Sequence, residues 1–214
     1  MNSGFREGTS AQLGEYGING SSAACISLEA KIEALMLLRG LATGVAYDAA
    51  VDLIEQAVRC IVTGMGKSGI VARKIAATFQ STGQPAAFLD PAAAAHGDMG
   101  IIEPGNVILM ISNSGETDEL RAVATFASSR DNAVILVTSM PHSSLAQVAS
   151  HVLATPSGPE GDPIGRVPMA STVCQIAIGD MLVASLMARR GFTEAQFLDL
   201  HHGGYLGRRI RAVA

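Results

Sequence analysis

The stretch VILMISNSGETDEL, Val107 to Leu120, passes without a break from apolar residues to small hydroxyls, a glycine and acids. Val107 to Ile111 are apolar on both faces, which marks a strand buried in the middle of a parallel sheet. Ser112, Asn113, Ser114, Gly115, Glu116 and Thr117 then offer hydroxyls and free backbone N–H groups at the start of a helix predicted from about Thr117 to Ser128. A turn of this composition binds anions. A capped strand-to-helix turn, with Ser114 or Thr117 as N-cap, fits the segment taken alone equally well.

A second segment of the same kind lies upstream. Ile61 to Thr63 read as a short strand that ends in Gly64-Met65-Gly66-Lys67-Ser68-Gly69, and Ile70 to Gln80 as the helix that follows. The spacing is not that of a P-loop, because one residue rather than four separates the first glycine from the Gly-Lys pair. It is not a dinucleotide fingerprint either, since no acid ends a second strand where a ribose would need it. The glycine turn still lets backbone approach an anion, with Lys67 and Ser68 at its edge.

Outward from these two turns the pattern alternates. Strands at Ala86–Leu89, Val107–Ser112, Val134–Thr138 and Val152–Ala154 join the one at Ile61–Thr63, with helices between them, including Ser144–Ala149. Such alternation predicts a three-layer αβα sandwich around a five-stranded parallel sheet. Two helices precede it, about Ala23–Leu41 and Tyr47–Arg59, and two follow, Met169–Arg190 and Thr193–Asp199. Met1 to Gly20, rich in glycine and polar residues, reads as a mobile arm, and residues 21–214 as one domain. Pro156 to Val167 is a long Pro- and Gly-rich loop, of the sort that is often functional.

Composition bounds the function. Nearly half of the 214 residues are apolar, enough for a proper core, and the net charge of −4 gives no general attraction to nucleic acid or to an anionic membrane. No apolar run reads as a membrane span, and the N-terminus lacks a basic segment followed by an apolar one. Cys25, Cys60 and Cys174 are odd in number and set among apolar residues, which fits reduced core thiols in a cytoplasmic protein.

The Gly-Met-Gly-Lys-Ser-Gly and Ser-Asn-Ser-Gly-Glu-Thr turns together resemble the sugar isomerase (SIS) domain, whose members bind phosphosugars between two such loops. Pro91–Met99 with His96-Gly97-Asp98, Pro159-Glu160 ahead of Pro163-Ile164-Gly165, and His201 to Arg209 resemble the arabinose-5-phosphate isomerases within it. The likeness runs from about Ala23 to Arg209. It implies an aldose-ketose isomerase acting on D-arabinose 5-phosphate and D-ribulose 5-phosphate without a cofactor, and a homotetramer with sites at subunit boundaries. Relatives of this branch usually continue into a paired module of the cystathionine-beta-synthase type, and this sequence ends at Ala214.

Moving a proton between C2 and C1 of a sugar needs a base, a group that polarises the carbonyl, and a grip on the phosphate. The resemblance puts the grip on Ser68, Ser112, Asn113, Ser114 and Thr117, with Gly66 and Gly115 giving the backbone its approach. Lys67 is disfavoured by the helix dipole at an N-terminus, so a bound anion would explain it. The resemblance also marks Glu119, Glu160, His96 and His201 as site residues. An acid at Glu119 suits the dipole alone, whereas no helix in the sequence pattern explains Glu160; a glutamate in a Pro-Gly loop can be desolvated by closure over the sugar, which makes it the favoured carbon base. His142 and His151 read as surface or packing residues and His202 as a bystander. Ala93, Ala95, Met169 and Ala170 stand where the branch usually carries polar residues, so an isomerase of a hexulose or heptose phosphate and a phosphosugar sensor without turnover are the rival readings.

Overall fold

The computed structural model describes residues 20–202. Most of the predicted N-terminal arm and the Gly203–Arg209 end of the last motif lie outside the described residues. Gly20, assigned to that arm, opens a helix instead, α1 (Gly20–Leu38). There follow α2 (Val45–Gln56), β1 (Arg59–Gly64), α3 (Gly66–Ser81), β2 (Ala86–Leu89), α4 (Pro91–Ala94), β3 (Asn106–Ile111), α5 (Asp118–Ser128), β4 (Ala133–Thr138), α6 (Ser144–Val148), β5 (His151–Ala154), α7 (Ala170–Arg190) and α8 (Glu194–Leu200).

All five strands are parallel, in the order β2-β1-β3-β4-β5. Side chains alternate across the sheet as a two-residue period requires. Cys60, Val62, Val107, Leu109, Ile111, Ile135 and Val137 face a core closed by α2, α3 and α7, with α1 lying along α7. Ile61, Ile108, Met110, Val134 and Leu136 face a second core closed by Leu120, Val123, Ala124 and Ala127 of α5 and by Leu145 of α6. The expected three layers are therefore present. In β3 every residue is buried, the reason its sequence is an unbroken apolar run.

Strand order reverses between β1 and β3, whose last residues Gly64 and Ile111 are register partners. Loops leaving the carboxyl ends of two such strands diverge to opposite faces and open a crevice, the usual ligand site of an open α/β sheet. Both anion-binding turns leave from this point.

Some boundaries differ from expectation for physical reasons. α2 stops at Gln56 rather than Arg59, because Ala57 is extended, Val58 N–H donates to the Gly105 carbonyl at 2.9 Å, and Arg59 already pairs with Asn106 in the sheet. α3 starts at Gly66 rather than Ile70. The segment between β2 and β3 is not plain loop: Asp90 accepts from Ala92 N–H and caps α4, with Pro91 in its first turn.

By length and composition α7 could cross a membrane, contrary to the reading that no segment could; it is the one described helix of which this is true on its own. Its buried stripe, Ala170, Cys174, Ile178, Leu182 and Leu186, packs inside the molecule. A Cβ on Gly179 would come within 2.4 Å of Ile75, so glycine permits the close crossing of α7 over α3. Leu182 and Leu186 thus belong to the chain's own core, while Leu28, Ile32, Leu35, Met36 and Leu37 of α1 are exposed. Cys60 and Cys174 are buried thiols, burial pushing Cys60 up to about 12, but Cys25 is exposed on α1.

Candidate active site

A cleft of about 520 Å³ opens at the β1/β3 switch point. Met65, Lys67 and Ser68 come to it from the start of α3, Ser112, Asn113, Ser114 and Thr117 from the turn after β3, and Glu160 from the long loop. All of these except Met65 are residues singled out in the sequence, and they share one wall. The same wall includes Ser139, Met140, Arg166, Ser171, Thr172 and Gln175, which the sequence reading does not select.

Neither α3 nor α5, whose N-termini point here, has a side-chain hydrogen bond from its N-cap residue. Met65 is the N-cap of α3, and the first amide with an intrahelical partner is Gly69, donating to Met65 O at 3.2 Å. The amides of Gly66, Lys67 and Ser68 are left over, as at any helix start. Thr117 is the N-cap of α5, in line with the capping alternative, yet its side chain makes no cap bond because Thr117 Oγ1 is paired with Ser112 Oγ at 2.9 Å. Two such N-termini, each carrying about half a positive charge, thus meet at one cleft.

Internal hydrogen bonds make the β3 turn rigid. Gly115 N–H donates to Ser112 Oγ at 3.1 Å and Glu116 N–H to Ser114 Oγ at 3.2 Å. The Asn113 carbonyl accepts from Ser139 N–H, Ser139 Oγ and Thr138 Oγ1, tying the turn to the end of β4. Gly115 has φ +65°, and a Cβ there would sit 1.9 Å from Ser143 Oγ, so no other residue fits. On the β1 side, Gly69 is required by proximity: a Cβ would lie 2.6 Å from the Gly64 carbonyl. Ser68 Oγ donates to Gln175 Oε1 at 3.3 Å and fastens α3 to α7. Asn113 Oδ1, Ser171 Oγ and Gln175 Nε2 are buried without hydrogen-bond partners among the described residues, so the cleft wall offers polar groups to a ligand.

Glu160 is explained by a helix after all. Its Oε2 accepts from Met169 N–H at 2.7 Å and from Ser171 N–H at 3.0 Å, capping α7 from a distance in sequence. Oε1 has no hydrogen bond with any described residue. Glu160 also lies close enough to Cys174 for its charge to add to burial in pushing that thiol up. Glu116 serves another helix, accepting from Ser144 N–H at 2.9 Å at the start of α6.

Glu119, His96 and His201 do not line this cleft. Glu119 and His96 are exposed, the former in the first turn of α5 and the latter just after α4. His201 follows α8, stacked on Phe197 at 3.8 Å with Nδ1 donating to the Phe197 carbonyl at 2.8 Å, so that Nε2 takes no part in that bond. α8 sits beyond the far end of α3, where a Cβ on Gly83 would be 3.9 Å from Leu200. The 16 residues of α3 separate that end from the cleft, a distance of roughly 24 Å.

An open α/β sheet with two helix N-termini, a glycine-rich turn carrying a lysine and a serine-rich turn at its switch point offers a cluster of donors to an anion. The SIS domain model matches residues 53–185, and the chain belongs to that family. It is 42% identical over 152 residues to arabinose 5-phosphate isomerase KdsD of Escherichia coli (strain K12), covering 71% of this chain and 46% of the relative. To the Pseudomonas aeruginosa enzyme of the same name it is 43% identical over 152 residues, 71% of this chain and 47% of that one. The chain thus spans less than half the length of these relatives. Among solved structures, an Escherichia coli CFT073 protein in complex with a phosphosugar superposes with a TM-score of 0.78 at 30% identity, over 87% of this chain and all of that one.

Proposed function

We propose that this chain is a phosphosugar aldose-ketose isomerase, interconverting D-arabinose 5-phosphate and D-ribulose 5-phosphate through an enediol. The observation that carries the proposal is the meeting of the glycine-rich turn with Lys67, the serine-rich turn and the half-engaged carboxylate of Glu160 in one cleft. The similarity to KdsD over 152 residues supports the choice of sugar. Residues 21–214 act in this reading as one cytoplasmic catalytic unit.

The phosphate dianion takes the free amides at the starts of α3 and α5 and the hydroxyls of Ser68, Ser114 and Thr117, while Ser112 keeps the turn in shape. Glu160, its Oε2 held by the α7 amides, turns Oε1 to the sugar and removes the C2 proton. The electron pair moves into an enediolate, whose oxygen charge Lys67 offsets, and a proton returned to C1 completes the ketose. The proton between the two oxygens needs a carrier, and His201 with its free Nε2 has the chemistry for it. His96, for ring opening or orientation, and Glu119 line no part of this cleft, so in this account both act, like His201, where protomers meet.

Because α8 lies roughly 24 Å along α3 from the cleft, His201 acts in this account on the site of a neighbouring protomer. The exposed apolar stripe of α1, with Leu28, Ile32 and Met36 on successive turns, is the surface offered for a homotetramer. The direct test incubates the protein with a panel of phosphosugars and follows aldose-ketose conversion. Turnover of D-arabinose 5-phosphate above the other members supports the reading; tight binding without turnover of any member rejects it.

A further inference from the structure

The loop between β5 and α7 contains a cation that the reaction above does not use. Buried Asp162 gives its carboxylate to the loop's own backbone: Oδ1 accepts from Ile164 N–H at 3.1 Å, and Oδ2 from Arg166 N–H at 2.9 Å and Val167 N–H at 3.0 Å. The loop is further set against α1 at Gly161, where a Cβ would come within 2.9 Å of Ala30 and Ser27. The Arg166 backbone is therefore fixed, while its guanidinium makes no ion pair or hydrogen bond with a described residue.

An exposed arginine is ordinarily left to solvent, but this one lines the same cleft as Lys67, Ser68 and the serine-rich turn after β3. The carboxylate in that wall, Glu160, has one oxygen already held by two amides. Described side chains thus give the cleft two cations against one partly engaged anion, before the helix termini are added. A guanidinium presents a planar fork of donors that matches a phosphate at two oxygens, unlike a lysine.

We propose that Arg166 is a specificity-determining residue that grips the substrate's phosphate dianion from the Asp162-centred loop. The inference rests on the phosphosugar reading of the cleft. It adds a selectivity element that the two turns lack: a charged fork that rewards a dianion and contributes little to a neutral sugar.

The test compares wild type, Arg166→Gln, Arg166→Lys and Ser114→Ala in calorimetric binding of inorganic phosphate and of D-arabinose 5-phosphate, with kcat and KM alongside. In Arg166→Gln, affinity for both ligands should fall roughly ten- to hundredfold, the loss of charge-assisted hydrogen bonds. KM should rise to match, kcat should hold, and added salt should weaken binding less than in wild type. Arg166→Lys should recover part of the affinity. Unchanged affinity in Arg166→Gln while Ser114→Ala binds more weakly overturns the role of Arg166 and leaves the phosphosugar reading standing. A fall in kcat at constant KM also overturns it, moving Arg166 to the transition state. Failure of wild type to bind either ligand overturns both together.

Discussion

Glu160 and Met169, nine positions apart, are joined by a 2.7 Å hydrogen bond from the Met169 amide to Glu160 Oε2. One carboxylate thus closes the N-terminus of α7 and lines the cleft, its other oxygen making no hydrogen bond with a described residue. Fixing a base by its unused oxygen sets its direction before substrate arrives, which is the form of preorganisation that favours proton transfer.

Two substitutions at Glu160 separate these roles. Glu160→Gln keeps an oxygen that can still accept from an α7 amide, so stability should change little while turnover falls by roughly 10² to 10⁴ with phosphate binding intact. Glu160→Ala should in addition lose about 0.5–2 kcal/mol of stability, the worth of a helix cap. Steady-state kinetics and denaturant midpoints read both quantities. A Glu160→Gln enzyme with wild-type kcat removes it as the base.

Ser112 and Ser114 should behave differently, although both belong to the same turn. Ser114→Ala should weaken phosphosugar binding by about 1.5–3 kcal/mol, since the bond at stake is to a charged group. Ser112 is buried, and its hydroxyl holds Thr117 and Gly115, so Ser112→Ala should show mainly as about 1–3 kcal/mol of lost stability. Binding titrations beside thermal melts distinguish the two; identical behaviour would deny the division of labour.

Lys67 should act on the developing charge. Lys67→Met is expected to reduce kcat more than it raises KM, because stabilisation present only in the transition state appears in kcat. A rise in KM with kcat unchanged would make Lys67 a binding residue.

Asp162 gives the loop a pH signature. Burial pushes its carboxyl up, but the amides of Val167, Ile164 and Arg166 together outweigh it and hold the group below the usual carboxylate range. A lowered folded-state value contributes stability above the ordinary aspartate pKa and loses it only as pH falls through the folded value. The Tm gap between wild type and Asp162→Asn should therefore persist from neutral pH down to about pH 4 and close only below it. A gap already gone at about pH 6 would show that Asp162 is not held in this way.

Much of this is legible in the sequence, and the gaps have identifiable causes. β3 and β4 are found almost to the residue because strands buried on both faces must be apolar throughout. The sequence pattern starts α3 four residues late, since Gly66 and Gly69 count against a helix although Gly69 is there to clear the Gly64 carbonyl. Ser139 has a readable signal, a hydroxyl ending the β4 apolar run as Ser112 ends that of β3. Arg166 has none, because its place depends on how the Asp162 loop folds through bonds to backbone amides that carry no sequence mark, and Gln175 reaches the cleft only through the packing of α7 on α3. Glu160 looks unexplained in the sequence because the helix it caps begins ten residues later.

If His201 serves a neighbouring protomer, mixed oligomers should reveal it. Glu160→Gln and His201→Asn proteins, each nearly inactive, should regain measurable activity when dissociated and reassembled together, since some sites then combine an intact Glu160 with an intact His201. Light scattering should find an oligomer. A monomer, or mixtures as inactive as their parents, would contradict the shared site.

The central claim is that the cleft moves a proton off C2 of a phosphosugar, and exchange with solvent measures this step itself. Wild-type protein is incubated with D-arabinose 5-phosphate in deuterated water, and label in recovered aldose and in the ketose product is read by NMR. The account predicts deuterium at C2 of the aldose and C1 of D-ribulose 5-phosphate, with both signals lost in Glu160→Gln. Saturating binding of the phosphosugar by wild type with no label at either carbon would contradict it.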